Sequence, residues 1–226
     1  MFIKKTMNKQ LSIITINLNN REGLRRTIKS VISQTKRNDI QFIIIDGDST
    51  DRSKDVIKEY ENQIDYWISE KDNGIYDAMN KGINASEAPY CLFLNSGDYL
   101  SADDVVEGIQ PFMDGTDIIY GDEYKVRTNG TRYLAKYPNK LDEPWFKKTA
   151  LPHQSTLIKT ALLKERKYTE EYKLLGDWIW LREAIMKYNN SYKHINMPIS
   201  VYSLDGMSSV GMATVNEEKK KYYEKS

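Results

Sequence analysis

Short apolar runs alternate with helical periodicity over the first hundred residues of the chain. Four runs are too short for helices and are bounded by turn residues. They predict buried parallel-sheet strands over residues 11–19, 41–45, 65–69 and 90–94. Apolar residues recur at helical spacing over residues 21–34, 56–64 and 74–85. This alternation predicts an α/β fold with a mostly parallel, doubly wound sheet and helices on both faces.

The regular alternation of strands and helices ends after residue 100. Val105, Ile109 and Phe112 predict one more helix, and Ser101 with Asp104 predicts its capping box. Residues 118–137 predict a β-ribbon with Asn129-Gly130 as its hairpin turn. The remaining predictions are a loop over 142–152, a strand over 153–158, a helix over 177–188, a strand over 192–202 and a terminal helix over 214–225. We expect one domain over residues 1–226, with a mixed α+β second half built on the same sheet.

Composition excludes several classes of protein. The 226 residues can bury a sizeable core, and a net charge of +1 gives no electrostatic case for nucleic acid as the partner. The chain has no apolar run long enough to span a membrane, and residues 1–9 lack the hydrophobic region of a signal peptide, so we expect a cytoplasmic protein. Cys91 is the only cysteine, which excludes an intrachain disulfide.

Polar residues follow three of the predicted strands. The carboxyl ends of parallel strands meet at one edge of a sheet, where open α/β sheets bind ligands. A carboxylate there can ligate a hard divalent cation that carries a phosphate. Turn formation and helix capping are the structural alternative for these acids. The residues concerned are Asn17 and Asn19, then Asp46 and Asp48, then Asn95, Ser96 and Asp98.

Taken together, these segments resemble family 2 glycosyltransferases of the GT-A fold, the small bacterial kind that builds surface polysaccharides. The resemblance runs through most of the chain, and it rests on the order and spacing of the motifs, since no single motif is highly specific. The matching segments are residues 12–20, 43–51, 67–82, 93–98 (Phe-Leu-Asn-Ser-Gly-Asp), 152–155 (Pro-His-Gln-Ser) and 176–177 (Gly-Asp).

The resemblance implies an inverting hexosyl- or N-acetylhexosaminyl-transferase that uses a UDP-sugar, a saccharide or lipid-linked saccharide acceptor, and Mn²⁺ or Mg²⁺. The half from about residue 10 to 113 would bind the nucleotide-sugar, and the half from about residue 114 to 226 would bind the acceptor. Asp177 matches the catalytic base and Asp98 the metal ligand. The implied nucleotide-binding residues are Asn17, Leu18, Asn19, Asp46, Asp48, Asn80, Asn95 and Ser96, and those on the acceptor or sugar-donor side are His153, Gln154 and Trp178.

Two positions depart from the family pattern. Asn95 stands where the metal motif usually has its first acid, which weakens metal affinity or leaves much of the ligation to the diphosphate. Gly47 stands where a second acid often follows Asp46. Local sequence also offers a structural role for Asp177, because it follows a glycine and precedes an apolar-periodic helix, as an N-cap does.

Two other functions remain open from sequence. Residues 43–50 also fit the nucleophile motif of haloacid-dehalogenase-like phosphatases, with Asp46 attacking phosphorus, although a full strand-helix unit precedes the motif. A non-catalytic nucleotide-sugar-binding protein is the second alternative, and the single carboxylate of the metal motif favours it. Residues 219–223 offer peripheral contact with an anionic membrane, but neighbouring glutamates favour a solvated helix.

Overall fold

One nine-stranded sheet runs through the protein. The computed structural model describes residues 9–203 and 211–225, so the N-terminal segment 1–8 lies outside the described residues. The strands are β1 Leu11–Asn17, β2 Ile40–Asp46, β3 Tyr66–Ser69, β4 Tyr90–Phe93, β5 Tyr99–Leu100, β6 Ile118–Val126, β7 Arg132–Ala135, β8 Thr156–Lys159 and β9 Tyr192–Ser203. The helices are α1 Arg21–Ile32, α2 Ser53–Glu59, α3 Ile75–Ala85, α4 Val105–Ile109, α5 Glu143–Lys148, α6 Thr160–Glu165, α7 Gly176–Met186 and α8 Met212–Lys225.

The sheet begins as a parallel unit and continues as a mixed one. Its order is β3-β2-β1-β4-β8-β6-β9-β5, with β7 paired to β6. The first four strands are parallel, which confirms the predicted α/β class. Both β4 and β6 pair antiparallel with β8, so β6 runs in the same direction as β4. The carboxyl ends of β1, β2, β4 and β6 therefore open on the same edge of the sheet.

Strand alternation supplies two hydrophobic cores, one on each face. Ile13 and Ile44 point to the face covered by α1, α2 and α4. Ile14 and Ile43 point to the other face, which α3 and α7 cover, with Tyr222 of α8 packed onto the same core. Since successive side chains of a strand point to opposite faces, the near-continuous apolar runs of the sequence serve both layers at once. Cys91 is fully buried within the second core.

Most predicted elements are present, including the β6–β7 ribbon that turns at Asn129-Gly130. The predicted capping box is wrong, because α4 begins only at Val105 and the Ser101 hydroxyl donates to the carbonyl of Pro198 instead. The predicted loop over 142–152 contains α5, and residues 153–155 form a 3-10 helix ahead of β8. The sequence patterns missed β5 and α6. Across the described residues, the structure contains no helix with the length and apolarity that spanning a bilayer requires.

Asn80 joins α3 to the segment that precedes α7. Its side-chain amide donates to the carbonyl of Tyr168 at 2.9 Å and accepts from the amide nitrogen of Tyr168 at 3.0 Å. Asn80 and Tyr168 are both buried, at 8% and 3% exposure. The amide therefore satisfies two backbone groups that have no access to water.

Replacing Asn80 with alanine should destabilise the fold. The change leaves the Tyr168 N–H and carbonyl buried without their partner, at a cost of about 1–3 kcal/mol for each unsatisfied group. Urea unfolding of Asn80→Ala measures the loss, and Asn62→Ala, at an exposed position, is the control. Equal stability of the two variants would contradict the structural role of Asn80.

Candidate functional site

Asp46 ends β2 at the edge of the sheet and is fully buried. Its Oδ1 accepts from Asn17 Nδ2 at 2.7 Å and from the Ser49 hydroxyl at 2.6 Å. Its Oδ2 accepts from the Ser49 amide nitrogen at 3.0 Å and the Ser69 hydroxyl at 2.6 Å. Four neutral hydrogen-bond donors from β1, β3 and the turn after β2 thus stabilise the buried carboxylate.

The end of β1 lies beside this carboxylate. Asn17 is 4% exposed, and its Oδ1 is a buried acceptor without a partner. Leu18 follows it and is 54% exposed. Asn19 adopts a positive φ of 49°, and its Oδ1 accepts from the Thr50 amide nitrogen at 2.8 Å. The turn after β1 is therefore bonded to the turn after β2. The exposed Leu18 and the unpartnered Oδ1 of Asn17 belong to this end of β1.

Asp48 lies apart from Asp46. It has a φ of 61°, its side chain is 58% exposed, and its carboxylate pairs with Lys54 at 2.7 Å. The hydrogen bond and charge of Lys54 lower the pKa of Asp48. The structure thus separates the two acids that the sequence placed together.

Gly47 leaves space that Asp72 occupies. A Cβ at position 47 would collide with Oδ2 of Asp72. Asp72 Oδ1 accepts from the amide nitrogen of Gly74 at 3.0 Å, which fixes the carboxylate. Asp72 therefore brings a carboxylate from the β3–α3 loop to the place of the second family acid, and sequence spacing gave no signal for this.

The turn after β4 is held by α1. The amide nitrogen of Gly97 donates to the Thr27 hydroxyl at 3.0 Å, and Thr27 donates to the carbonyl of Asp98 at 2.6 Å. Gly97 has a φ of +110°, which favours glycine, and its carbonyl accepts from Arg26 at 2.7 Å. Asn20 donates to the carbonyl of Ser96 at 2.8 Å. These bonds fix the backbone that carries Asp98, which is 8% exposed.

Asp177 lies in the first turn of α7, one residue inside the helix, because α7 begins at Gly176 with Leu175 at the cap position. The N-cap interpretation is therefore wrong. Its Oδ1 accepts from the Tyr76 hydroxyl at 2.9 Å and from the Trp178 amide nitrogen at 2.8 Å. A Cβ at Gly176 would lie 2.8 Å from the Tyr76 ring. The glycine thus gives Tyr76 the room to reach Asp177.

His153 links Asp177 to the turn after β4. Its Nδ1 lies 2.9 Å from Asp177 Oδ2, and its Nε2 lies 3.1 Å from Asn95 Nδ2. When Nδ1–H donates to Asp177, a neutral ring accepts from the Asn95 amide through Nε2. A protonated ring instead donates to an acceptor, and the otherwise unpartnered Asn95 Oδ1 supplies one when the amide turns over. Asn95 can therefore serve both protonation states of His153.

The two partners stabilise each other's charge. Burial alone lowers the pKa of His153, but the hydrogen bond and charge of Asp177, with the charges of Asp98 and Glu123, raise it above its ordinary value. Burial alone raises the pKa of Asp177, but His153, Tyr76 and the Trp178 N–H hold it below its ordinary value. The carboxylate is therefore ionised at neutral pH. Burial and the charge of Asp177 raise the pKa of Tyr76, which stays a hydrogen-bond donor.

Three predicted site residues bond elsewhere. Asn80 bonds to Tyr168, as described above. Trp178 is 3% exposed, and its indole N–H donates to the carbonyls of residues 146 and 149 beneath α8. Gln154 is buried and donates to Glu123 Oε2 at 2.5 Å. These three side chains therefore join neighbouring segments of the protein.

Asp98 and Asn95 have oxygen atoms suited to a divalent metal ion that is also bound by a diphosphate. The described residues include no group of three or more His, Cys, Asp or Glu side chains that could hold an ion. They do provide the Asp98 carboxylate and, in the same turn, the unpartnered amide oxygen of Asn95. Both are oxygen ligands of the kind that Mg²⁺ and Mn²⁺ take, and Mg²⁺ is usually bound by one or two carboxylates plus substrate phosphates.

Sequence reasoning missed Tyr76, Asp72 and Glu123 as members of the site. Tyr76 precedes Asp77 in a helix and looks like core packing, and its partner Asp177 is 101 residues away. Glu123 is 1% exposed and accepts from the Tyr137 hydroxyl at 2.6 Å. The sequence gives little signal for Glu123, because it follows Asp122 in the polar second half of β6. Its burial, which requires hydrogen-bond donors, becomes evident only in the structure.

Replacing His153 with glutamine should make the loss of stability depend on pH. The raised pKa of His153 contributes stability that is complete below pH 6.5 and is lost as pH rises through the folded-state value. The lowered pKa of Asp177 contributes stability present above pH 3.8 and lost as pH falls through its folded-state value. The stability difference between wild type and His153→Gln should therefore be greatest between pH 3.8 and 6.5.

Chemical unfolding across this pH range measures the difference. Asp177→Asn and the double variant complete a cycle that isolates the pair, and the coupling should fade at both ends of the range. A coupling that does not change with pH would contradict the ion pair.

Comparison with known proteins gives consistent results. The model of glycosyl transferase family 2 matches residues 12–187. An uncharacterised glycosyltransferase of Mycobacterium tuberculosis is 45% identical over 96 residues, which cover 42% of this chain and 37% of the relative. A PGL/p-HBAD biosynthesis glycosyltransferase of Mycobacterium bovis is 28% identical over 174 residues, 74% of this chain and 66% of the relative. Poly(ribitol-phosphate) beta-N-acetylglucosaminyltransferase TarP of Staphylococcus aureus is 40% identical over 96 residues, 41% of this chain and 29% of the relative.

Solved structures share the fold. Residues 1–349 of S. aureus TarS in complex with UDP-GlcNAc superpose with a TM-score of 0.70 at 18% identity, covering 86% of this chain and 58% of that one. A mannosyltransferase from Pyrobaculum calidifontis in complex with GDP-Man and Mn²⁺ superposes with a TM-score of 0.68 at 11% identity, covering 92% and 60%. The chain matches less than two thirds of the length of each of these proteins. With the family match spanning most of its length, the chain belongs to glycosyl transferase family 2.

Proposed function

We propose that the protein transfers a sugar from a UDP-sugar to a saccharide hydroxyl, with inversion and with help from a divalent metal, in the synthesis of a surface glycan. Similar proteins support the sugar donor and the pathway class: TarS is solved with UDP-GlcNAc and with UDP, and TarP is named an N-acetylglucosaminyltransferase. One observation carries the proposal. Asp177 is joined through His153 to Asn95, in the turn that also carries Asp98, so the base and the metal ligand would belong to a single site.

Asp177 is the proposed general base. A sugar hydroxyl is a poor nucleophile and needs an ionised carboxylate within hydrogen-bond reach as it attacks, which is typically worth about 10²–10⁴ in rate. The lowered pKa keeps Asp177 ionised, and Tyr76 and the Trp178 N–H occupy Oδ1. Oδ2 accepts only from His153 in the described structure, so it retains a lone pair for the acceptor proton.

Asp98 and Asn95 are the residues proposed to hold Mn²⁺ or Mg²⁺. Such a cation neutralises charge on the departing diphosphate. The chain's own contribution is to fix the backbone of residues 95–98 on Thr27 and Arg26, which sets the position from which the Asp98 side chain extends.

The ends of β1 and β2 are proposed to bind the nucleoside. Asn17 has a free buried oxygen for a base or ribose N–H or O–H, and Leu18 offers an exposed apolar surface. Asp46 would act by orienting Asn17 and Ser49, because its own oxygens are already bonded. The same burial leaves Asp46 unable to attack phosphorus, and the family match overturns the phosphatase alternative.

Asp177→Asn should abolish transfer while leaving UDP binding nearly unchanged. A screen of UDP-sugars for UDP release, with Mn²⁺ or Mg²⁺ and a mixed saccharide acceptor, measures the activity. The expected loss in kcat is at least about 10²-fold, as for removal of a general base.

Asp142→Asn is the matched control, because Asp142 caps α5 by accepting from the Trp145 amide nitrogen and Asn caps equally well. It should retain full activity. Equal loss of transfer and UDP binding in Asp177→Asn would mean that Asp177 is structural. Binding without any UDP release in the wild type would favour the non-catalytic alternative.

Asp98→Ala should remove most of the metal dependence of UDP binding. Calorimetric titration with UDP, with and without Mn²⁺, measures the effect, and Asp104→Ala is the control because Asp104 makes no side-chain capping bond. A metal response unchanged from wild type would remove Asp98 from the site.

A further inference from the structure

The β6–β7 hairpin forms a strongly basic projection, here named the basic ribbon (residues 124–136). It contains Lys125, Arg127, Arg132 and Lys136 and no Asp or Glu, although the whole chain carries a net charge of only +1. Among the described residues, Lys125 pairs with Glu123 at 3.3 Å, and no ion pair reaches the other three cations, which are exposed. Their charge is therefore available to a partner.

The register places the basic ribbon beside the candidate site. Ile158 of β8 pairs with Cys91 of β4 on one side and with Ile118 of β6 on the other. Residues of β6 beyond Tyr120 therefore lie past the level at which β4 ends. Glu123, at the base of the ribbon, bonds to Gln154, the neighbour of His153. The strand continues for three residues, roughly 10 Å, past Glu123.

Each of the two arginines lies over the ring of a tyrosine. The Arg132 guanidinium lies 3.6 Å from the centre of the Tyr124 ring, and that of Arg127 lies 4.8 Å from the Tyr133 ring. Stacking occupies the face of a guanidinium and leaves its in-plane N–H groups free. Those N–H groups form a fork that matches the oxygens of phosphate. The ribbon thus carries two exposed guanidinium groups whose chemistry suits phosphate, one on each face.

The apolar side chains of the ribbon do not form a membrane-inserting surface. Tyr133 and Leu134 are 37% and 38% exposed, but they are consecutive in β7 and point to opposite faces. The same register places Arg127 and Arg132 on opposite faces of the ribbon. Cations on both faces, without a continuous apolar face, favour a flexible soluble polyanion over a planar lipid bilayer, which would contact one face only.

We propose that the basic ribbon is a docking surface for a phosphate-bearing chain, and that in a transferase of the proposed function this chain is the glycan acceptor. The acceptor's phosphates bind Arg127 and Arg132 while its reacting hydroxyl reaches the sheet edge near Asp177. This assignment rests on the proposed function for the role of the chain, but the binding itself does not require catalysis.

Direct binding of long-chain inorganic polyphosphate, in the absence of any nucleotide-sugar, tests the proposal. Arg127→Gln/Arg132→Gln should weaken binding by roughly tenfold or more, as expected for losing charge-assisted hydrogen bonds. The slope of log affinity against log salt should fall by roughly one for each arginine removed. Lys58→Gln/Lys164→Gln removes two exposed cations that lie outside the ribbon and should leave both quantities unchanged.

Arg127→Lys/Arg132→Lys keeps the charge and removes the planar fork, so it should restore part of the affinity. Thermal unfolding and UDP binding confirm that each variant is folded. Equal polyphosphate affinity in wild type and the glutamine variant would overturn the proposal. Ribbon-dependent binding to phosphatidylcholine vesicles containing phosphatidylglycerol, without polyphosphate binding, would also overturn it. Polyphosphate binding without UDP release by any sugar donor would keep the docking surface and overturn the proposed function instead.

Discussion

The ion pair of Asp177 and His153 is the interaction on which the arrangement of the site depends. Burying a carboxylate is costly unless donors satisfy it, and Asp177 obtains its donors from three separate parts of the chain: α3, α7 and the 3-10 helix before β8. His153 extends the contact to Asn95 at the end of β4. The electrostatic requirement of one carboxylate thus brings the second half of the chain against the open edge of the parallel sheet.

Asp46, elsewhere on that edge, is also a buried carboxylate that takes its donors from several elements. Its four hydrogen-bond donors come from β1, β3 and the turn that follows β2, so the acid orders the strand ends around it. Asp46 and Asp177 differ in what stabilises them. Neutral amide and hydroxyl groups surround Asp46, whereas Asp177 has a titratable partner whose own charge depends on pH. Only the second arrangement couples the site to proton transfer.

The regular elements were predictable because each depends on local pattern. The apolar runs of β1, β2 and β4 and the hairpin at Asn129-Gly130 carry their own signals. The contacts that assemble the site do not, because their partners are distant in sequence. Asn80 bonds to a residue 88 positions away. Ser101 donates to a carbonyl 97 positions away instead of capping a helix as predicted. The turn residues were singled out because they follow predicted strands, and Asp177 was singled out by family resemblance. The presence of Tyr76 and Asp72 required the three-dimensional fold.

The Gly176-Asp177 dipeptide has a consequence for how this site can change. A Cβ at position 176 would meet the ring of Tyr76, and Asp177 accepts from the hydroxyl of the same tyrosine. One aromatic side chain therefore depends on both residues. A bulkier residue at 176 would push the ring aside and remove the Tyr76 hydroxyl as a hydrogen-bond donor to Asp177, without altering the acid itself. A substitution at position 176 would therefore alter the hydrogen bonding of the acid, although glycine itself carries no functional group.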